Sequence, residues 1–271
     1  MENAASDMLS NSILVVAHPD DEVLWFSSIL DKVDEILFCF NDYPALPALG
    51  KGREKVLADY PLPNTSSLKI EESGSFSGAD WENPSVSSYG MEIIHGKKIK
   101  RRYQDNFYLL RQRLEKHLQS RDNVITHNPW GEYGHEDHVQ VYRAIESLKK
   151  KLSFRLWCSN YASNRSISLM FRYFSGFNTP YQMFSTNPEL TTSLIDLYRK
   201  HNCWTWYGDF QWFDTECFLE AAHFPHDEEK HGRLFPINML KTDFPDRPWQ
   251  PPGKFTTMKT QLRRRLTRYL S

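Results

Sequence analysis

An α/β architecture, with a mostly parallel sheet and helices on both faces, is the fold class the sequence predicts. Three observations predict it. Ile13 to Val16 (I-L-V-V) is an apolar run without polar alternation, as expected of a strand covered on both sides. Strand-like and helix-like segments then alternate over roughly the first 160 positions, the order that builds a parallel sheet. Finally, two of the strands run into loops dense in histidine and acid that open helices. In such sheets ligands bind outside the carboxyl ends of the strands.

The elements follow in order. Pro19 cannot donate to a sheet ladder, so the first strand stops near His18. Asp20 and Asp21 suit a helix N-cap, and Val23 to Leu30 continues at helical spacing. Glu35 to Phe40 reads as a second strand, Asn41 to Gly52 as a loop, and Arg53 to Tyr60 as a short helix closed by Pro61 and Pro63. Asn64 to Ser88, rich in Ser, Gly and Asn, reads as a surface excursion or a mobile lid. Ile93-Ile94 and Lys97 to Arg102 suggest a short exposed hairpin with a basic face. Phe107, Leu110, Leu114 and Leu118 give Asp105 to Gln119 a helical period. Asn123 to Thr126 is a strand, His138 to Lys150 a helix ending in lysines, and Phe154 to Cys158 another strand. Together these predict a Rossmann-like, mostly parallel sheet in a single domain spanning 1–271. A motif-bearing core lies at about 11–160, and an aromatic-rich extension at 161–271 completes the fold or the substrate site. Within that extension Glu189 to Asn202 reads as a helix capped by Asn187, with Pro188 at its first position.

Composition excludes some function classes. The chain has 271 residues and a formal net charge of -1, which argues against a nucleic-acid footprint. No apolar run is long enough to span a bilayer, and Met1 to Ser12 lacks the features of a signal peptide. Cys39, Cys158, Cys203 and Cys217 are widely spaced, as expected of reduced thiols, and the expected location is cytoplasmic. The basic tail, Lys254 to Ser271, reads as an amphipathic helix that lies on the body or makes weak contact with a membrane surface. Trp204, Trp206, Tyr207 and Trp212 read as core, with sugar stacking as the sharper alternative. Oligomeric state is not legible.

The chemistry lies in two loops. His18, Asp20 and Asp21 crowd into one turn, a donor set suited to a divalent ion of the zinc type. Two adjacent carboxylates repel unless a cation sits between them or one takes another task, such as general base. Capping of the helix by the same acids remains open at this point. The second loop, His127 to His138, reads H-N-P-W-G-E-Y-G-H-E-D-H. His135 and His138 stand three apart at a helix start, so both rings can face one site. In a parallel sheet both loops fall on the same edge.

Ala17 to Glu22 (A-H-P-D-D-E), followed far downstream by Tyr133 to His138 (Y-G-H-E-D-H), resembles the PIG-L, or LmbE-like, family of zinc-dependent deacetylases. Members of that family remove an acetyl group from N-acetylglucosamine units and related amides. The resemblance covers roughly residues 11 to 160. Carried over by position, it implies that His18, Asp21 and His138 bind one zinc ion and that Asp20 is the general base. His135 would stabilise the oxyanion, as an imidazolium, or act as general acid, and Tyr133 would polarise the acetyl carbonyl. Arg53 lies where the family often has a substrate-contacting arginine, though the surrounding match is loose. His127 is expected to line the site, and Asp137 and Glu22 to support it from behind, with capping and the first helical turn as their plainer roles. No family motif is visible after about Asn160. The implied activity is N-deacetylation of an N-acetylglucosamine-type sugar or sugar conjugate in glycan biosynthesis. The rivals are another metal-dependent amidase or phosphoesterase and a non-catalytic glycan-binding relative. His223 and His226 form a second H-x-x-H, but Pro225 breaks its helix geometry.

Overall fold

The computed structural model describes residues 7–173, 177–221 and 235–243. Seven strands form the main sheet in the order β3-β2-β1-β6-β7-β10-β9. They are β1 (Ser12–Val16), β2 (Glu35–Asp42), β3 (Thr65–Glu71), β6 (Asn123–Thr126), β7 (Arg155–Ser159), β9 (Phe177–Ser185) and β10 (Thr215–Ala221). β3, β2, β1, β6 and β7 are mutually parallel, and β10 runs antiparallel to both of its neighbours. Two small pairs complete the strands: β4 (Val86–Ser87) with β5 (Gly90–Met91), and β8 (Tyr161–Ser163) with β11 (Asn238–Leu240).

The helices are α1 (Asp21–Trp25), α2 (Pro47–Ala58), α3 (Lys97–Leu118), α4 (Glu136–Leu152), α5 (Ile167–Met170) and α6 (Pro188–Lys200). Alternation along β1 shows which side each covers. Ile13 and Val15 pack with Leu110 and Leu114 of α3 and Val141 and Ile145 of α4. Leu14 and Val16 pack in the opposite layer with Leu24 of α1, Val56 of α2 and Leu194 of α6. Every residue of β1 is therefore buried, which explains its unbroken apolar sequence. The chain moves outward through β1, β2 and β3, then returns to β6 beside β1 and moves outward the other way through β7. The strand order reverses between β1 and β6, and a doubly wound sheet opens its ligand crevice at such a reversal.

Several expectations change. The first helix stops at Trp25, short of the expected Leu30. Buried Glu216 on β10 takes the Ser28 N–H (2.9 Å) and the hydroxyls of Ser27 (2.9 Å), Ser28 (2.7 Å) and Tyr161 (3.0 Å), so the chain leaves the helical ladder to meet it. Asn64 to Ser88 is not a surface excursion throughout. Its first part is edge strand β3, and its middle is tied to α4, where Glu136 accepts the N–H groups of Ser77 (3.2 Å) and Ala79 (3.0 Å) and the Trp81 indole (3.0 Å). Lys97 to Arg102 is the start of α3, not a hairpin; the hairpin lies just before it, at β4–β5. α6 begins as expected, with the Asn187 side chain accepting the Leu190 N–H at 3.2 Å. All four cysteines are buried and free. Among the described residues no helix is long and apolar enough to cross a membrane. The basic tail and the His223–His226 pair lie outside the described residues.

Candidate metal centre and catalytic site

Two loops meet at the β1–β6 reversal. After β1, the Ala17 N–H is capped by His127 Nε2 at 2.8 Å, and the chain turns sharply. The His18 N–H returns to Asp21 Oδ2 at 2.7 Å, which fixes the carboxylate against the turn. Asp20 sits at φ 109°, a left-handed conformation that is strained for a residue with a Cβ and characteristic of functional turns. Its side chain does not cap α1. It turns instead to Thr205, whose hydroxyl donates to Asp20 Oδ2.

The β6–α4 loop coils more tightly. Gly131, Glu132 and Gly134 all have positive φ (68°, 46° and 90°). A Cβ on Gly131 would lie 2.6 Å from the His135 carbonyl, so glycine is required there. This coil turns Glu132 inward. Glu132 Oε2 lies 2.7 Å from His138 Nδ1 and 3.0 Å from His127 Nδ1, while Oε1 accepts the Asn128 N–H at 3.0 Å and the Ser159 hydroxyl. Burial would raise the Glu132 pKa, but His127 and His138 outweigh it and hold the group at about 2.

The three expected ligands converge. One donor atom each from His18, Asp21 and His138 lie within 4.8 Å of one another. Asp21 Oδ2 is 3.1 Å from His18 Nδ1, and Oδ1 is 3.1 Å from His138 Nε2. Each histidine has a carboxylate at its far nitrogen: Asp137 at 3.3 Å from His18 Nε2 and Glu132 at 2.7 Å from His138 Nδ1. That arrangement points the other ring nitrogen at a metal and makes it a better donor. His138 Nε2 is buried with no hydrogen-bond partner, although it faces Asp21. An orphaned imidazole nitrogen beside a carboxylate fits a zinc-type ion. The charge balance agrees. Burial would lower the His18 pKa, yet Glu72, Asp137 and Asp21 raise it to about 10. Burial is likewise outweighed at His138, which Asp21 and Glu132 raise to about 9. This cluster of carboxylates demands positive charge, from protons or from a cation. Replacing Glu132 by Gln is expected to weaken zinc binding by about 10- to 100-fold, read by competition with a chromogenic chelator.

On the open side lies a cavity of about 70 Å³. Asp20, Arg53, Tyr133 and His135 line it, together with His18 and Asp21. Burial and the neighbouring Asp21 push the Asp20 pKa up to about 6. His135 departs from expectation. Its Nδ1 accepts the Asp137 N–H at 3.1 Å, so the proton sits on Nε2. Burial, His138 and His18 hold its pKa well below the usual histidine range. It is therefore a neutral donor, not the expected imidazolium. Burial and the acids around Tyr133 keep it a phenol, and its ring stacks on Trp25 with centroids 5.5 Å apart. Arg53 is buried and pairs with Glu72.

His127 is not where it was expected. It is fully buried behind His138, with ring centroids 3.8 Å apart, and both its nitrogens are engaged by Ala17 and Glu132. It supports the site and does not line the cavity. Asp137 bonds His18 and accepts the Ser75 hydroxyl at 2.7 Å, so its carboxylate does not cap the helix. Glu22 stands behind the turn, accepting the Asp20 N–H (2.9 Å) and the hydroxyls of Tyr60 (2.9 Å) and Tyr198 (2.7 Å). Sequence reasoning missed Glu132, Glu72 and Thr205, and it read Trp206, which lines the cavity, first as core. Of the three missed residues only Glu132 had a signal, as a lone acid inside a histidine loop, where ligating histidines need carboxylate partners.

No family model matches the chain, and no curated protein matches it. Solved structures are similar to it at low identity. A deacetylase of the teicoplanin biosynthesis pathway, in complex with teicoplanin, is 12% identical with a TM-score of 0.46, covering 78% of this chain and 98% of its own. A zinc-inhibited form of the teicoplanin deacetylase Orf2 is 14% identical with a TM-score of 0.42, covering 71% and 84%. Dbv21, a deacetylase of the A40926 pseudoaglycone, is 12% identical with a TM-score of 0.42, covering 72% and 82%.

Proposed function

We propose that the chain is a zinc-dependent hydrolase that removes the acetyl group from an N-acetylated sugar or sugar conjugate. The observation that carries this reading is the convergence of His18, Asp21 and His138 on one point, with Asp20 on its open side. Those three residues would hold the ion. When bound, zinc supplies a Lewis acid that lowers the pKa of water to about 7 and polarises a carbonyl oxygen.

The chain's own groups do the rest. Asp20 accepts the proton of the attacking water, because it lines the cavity beside ligand Asp21 and is ionised at neutral pH. Thr205 and the Glu22-bound backbone fix its direction. His135 donates its Nε2–H to the acetyl oxygen as negative charge grows there, a contribution of about 3 kcal/mol for one such donor. Tyr133 lines the same cavity and would polarise the acetyl carbonyl. Asp20 then returns its proton to the departing amine. Arg53, which lines the cavity and pairs with Glu72, would meet the sugar's polar groups.

The test is metal analysis of the purified protein together with acetate release across a panel of N-acetyl sugars. One zinc per chain and acetate equimolar with free amine are expected. Two ions per chain, with phosphate esters turned over and no acetate released, would replace this reading with a phosphoesterase.

A further inference from the structure

We propose that Leu24 is the floor of an acyl pocket and restricts the enzyme to amides no longer than acetyl. This inference rests on the deacetylase reading above. The scissile carbonyl must lie between Asp20 and the point on which His18, Asp21 and His138 converge, and the space there is the cavity of about 70 Å³. An apolar cavity of roughly 150 Å³ takes benzene. About half as many heavy atoms fit here, which is the carbon, oxygen and methyl of an acetyl group. The acyl group therefore enters, and the ring that carries it stays at the mouth.

The lining decides where the methyl goes. Among the described residues around the cavity, Leu24 is the aliphatic one; the others are aromatic or polar. A methyl pressed against Asp20, Arg53 or Glu72 would desolvate a charge without pairing it. Leu24 stands on the correct side. It follows Asp21 by three residues on α1, and its N–H bonds the Asp20 carbonyl at 3.2 Å, so its side chain lies one helical turn from both acids. Leu24 is only 2% exposed and belongs to the same packed layer as Val56 of α2 and Leu194 of α6. A floor backed by close-packed core does not retreat to admit another methylene. Propionyl and butyryl groups would overlap it, whereas acetyl rests on it.

The experiment takes the best substrate of the N-acetyl sugar panel with its N-formyl, N-propionyl and N-butyryl analogues, and measures release of the common amine by the zinc-loaded full chain. In the parent protein kcat/KM should fall by at least about tenfold from acetyl to propionyl, the discrimination one methylene normally allows, and again to butyryl. Leu24→Ala should raise the propionyl-to-acetyl ratio by at least about tenfold and bring the butyryl amide into turnover. Leu24→Phe should act in the opposite direction, lowering the acetyl-to-formyl ratio by a similar factor. Damage to the fold alone would not move the two ratios in opposite senses. If Leu24→Ala loses its zinc, Leu24→Val, which removes one carbon, carries the same test with the propionyl amide. Equal use of acetyl and propionyl amides by the parent protein, or ratios unmoved in variants that keep zinc, would overturn the pocket. If the parent releases amine from no member of the panel, the deacetylase reading fails separately. Calorimetric titration with acetohydroxamate and butyrohydroxamate then decides the pocket. Tighter binding of the shorter acid, with the difference abolished in Leu24→Ala, supports it; equal binding, or none, in the parent protein rejects it.

Discussion

Asp20→Asn is expected to lower kcat by about 10²- to 10⁴-fold while leaving zinc content and fold intact. The substitution suits the question because little else changes. Asparagine tolerates the left-handed backbone that Asp20 adopts at φ 109°, so the turn keeps its shape. Its side-chain oxygen can still accept the Thr205 hydroxyl. The Glu22 bond to the backbone N–H is unaffected, since no side-chain atom takes part in it from this residue. What disappears is the basic oxygen. The effect on stability should have the opposite sign. In the folded protein, burial and Asp21 raise the Asp20 pKa from 3.8 to about 6. A raised carboxyl favours folding while protonated, and that advantage is lost as pH rises through about 6. At neutral pH the charged group is therefore a liability in metal-free protein, and the neutral amide removes it. Chelated Asp20→Asn should melt no lower than chelated wild type. Loss of zinc, a lower melting temperature in the chelated state, or turnover within threefold of wild type would each contradict the assignment of Asp20 as base.

The contrast between what the sequence revealed and what it hid follows from the range of the interactions. His18, Asp20 and Asp21 were legible because a buried strand, a proline and adjacent acids are local features, and strand order alone sends the turn to the ligand edge. His138 was legible for the same reason, being in the first turn of the helix that follows the neighbouring parallel strand. Glu72 was not, because it follows an edge strand inside a polar stretch whose backbone groups are satisfied by Glu136, far along the chain. Serine- and glycine-rich sequence reads as solvated unless the buried acids that bind it are known. Thr205 was hidden too, and Trp206 was read first as core, since both reach the cavity from a loop without regular structure after α6. His127 was misplaced because an imidazole near a site can face the ligand or brace its neighbours, and only the packing on His138 distinguishes the two.

Asp21→Ala should abolish zinc binding and activity and also remove the effect of zinc on stability. The Asp21 carboxylate is the shared contact of the cluster. It accepts the His18 N–H at 2.7 Å and the Trp25 indole at 3.2 Å, and it faces a ring nitrogen of His18 and of His138, each at 3.1 Å. Removing it takes away one ligand and the anion between two imidazoles, and leaves buried donors unpaired. Breaking a buried ionic contact from one side is destabilising by about 3–5 kcal/mol. A loss of stability alone would not separate a metal ligand from a structural acid, so the zinc dependence is the deciding measurement. A ligand that binds only the folded state stabilises it by about 2.7 kcal/mol at a concentration one hundred times its dissociation constant. Wild type should therefore melt higher with zinc than with chelator, and Asp21→Ala should melt at one temperature in both. Glu132→Gln belongs between them, keeping a zinc-dependent rise that appears only at higher metal concentration, because Glu132 bonds His138 Nδ1, on the side of the ring away from Asp21. The zinc-induced rise should also be larger at pH 8 than at pH 6. His18 and His138 carry protons held by surrounding carboxylates in the metal-free state, and these must leave before the ring nitrogens can bind. Equal zinc-induced rises in wild type and Asp21→Ala would place the ion elsewhere and leave the convergence of the two loops without its chemistry.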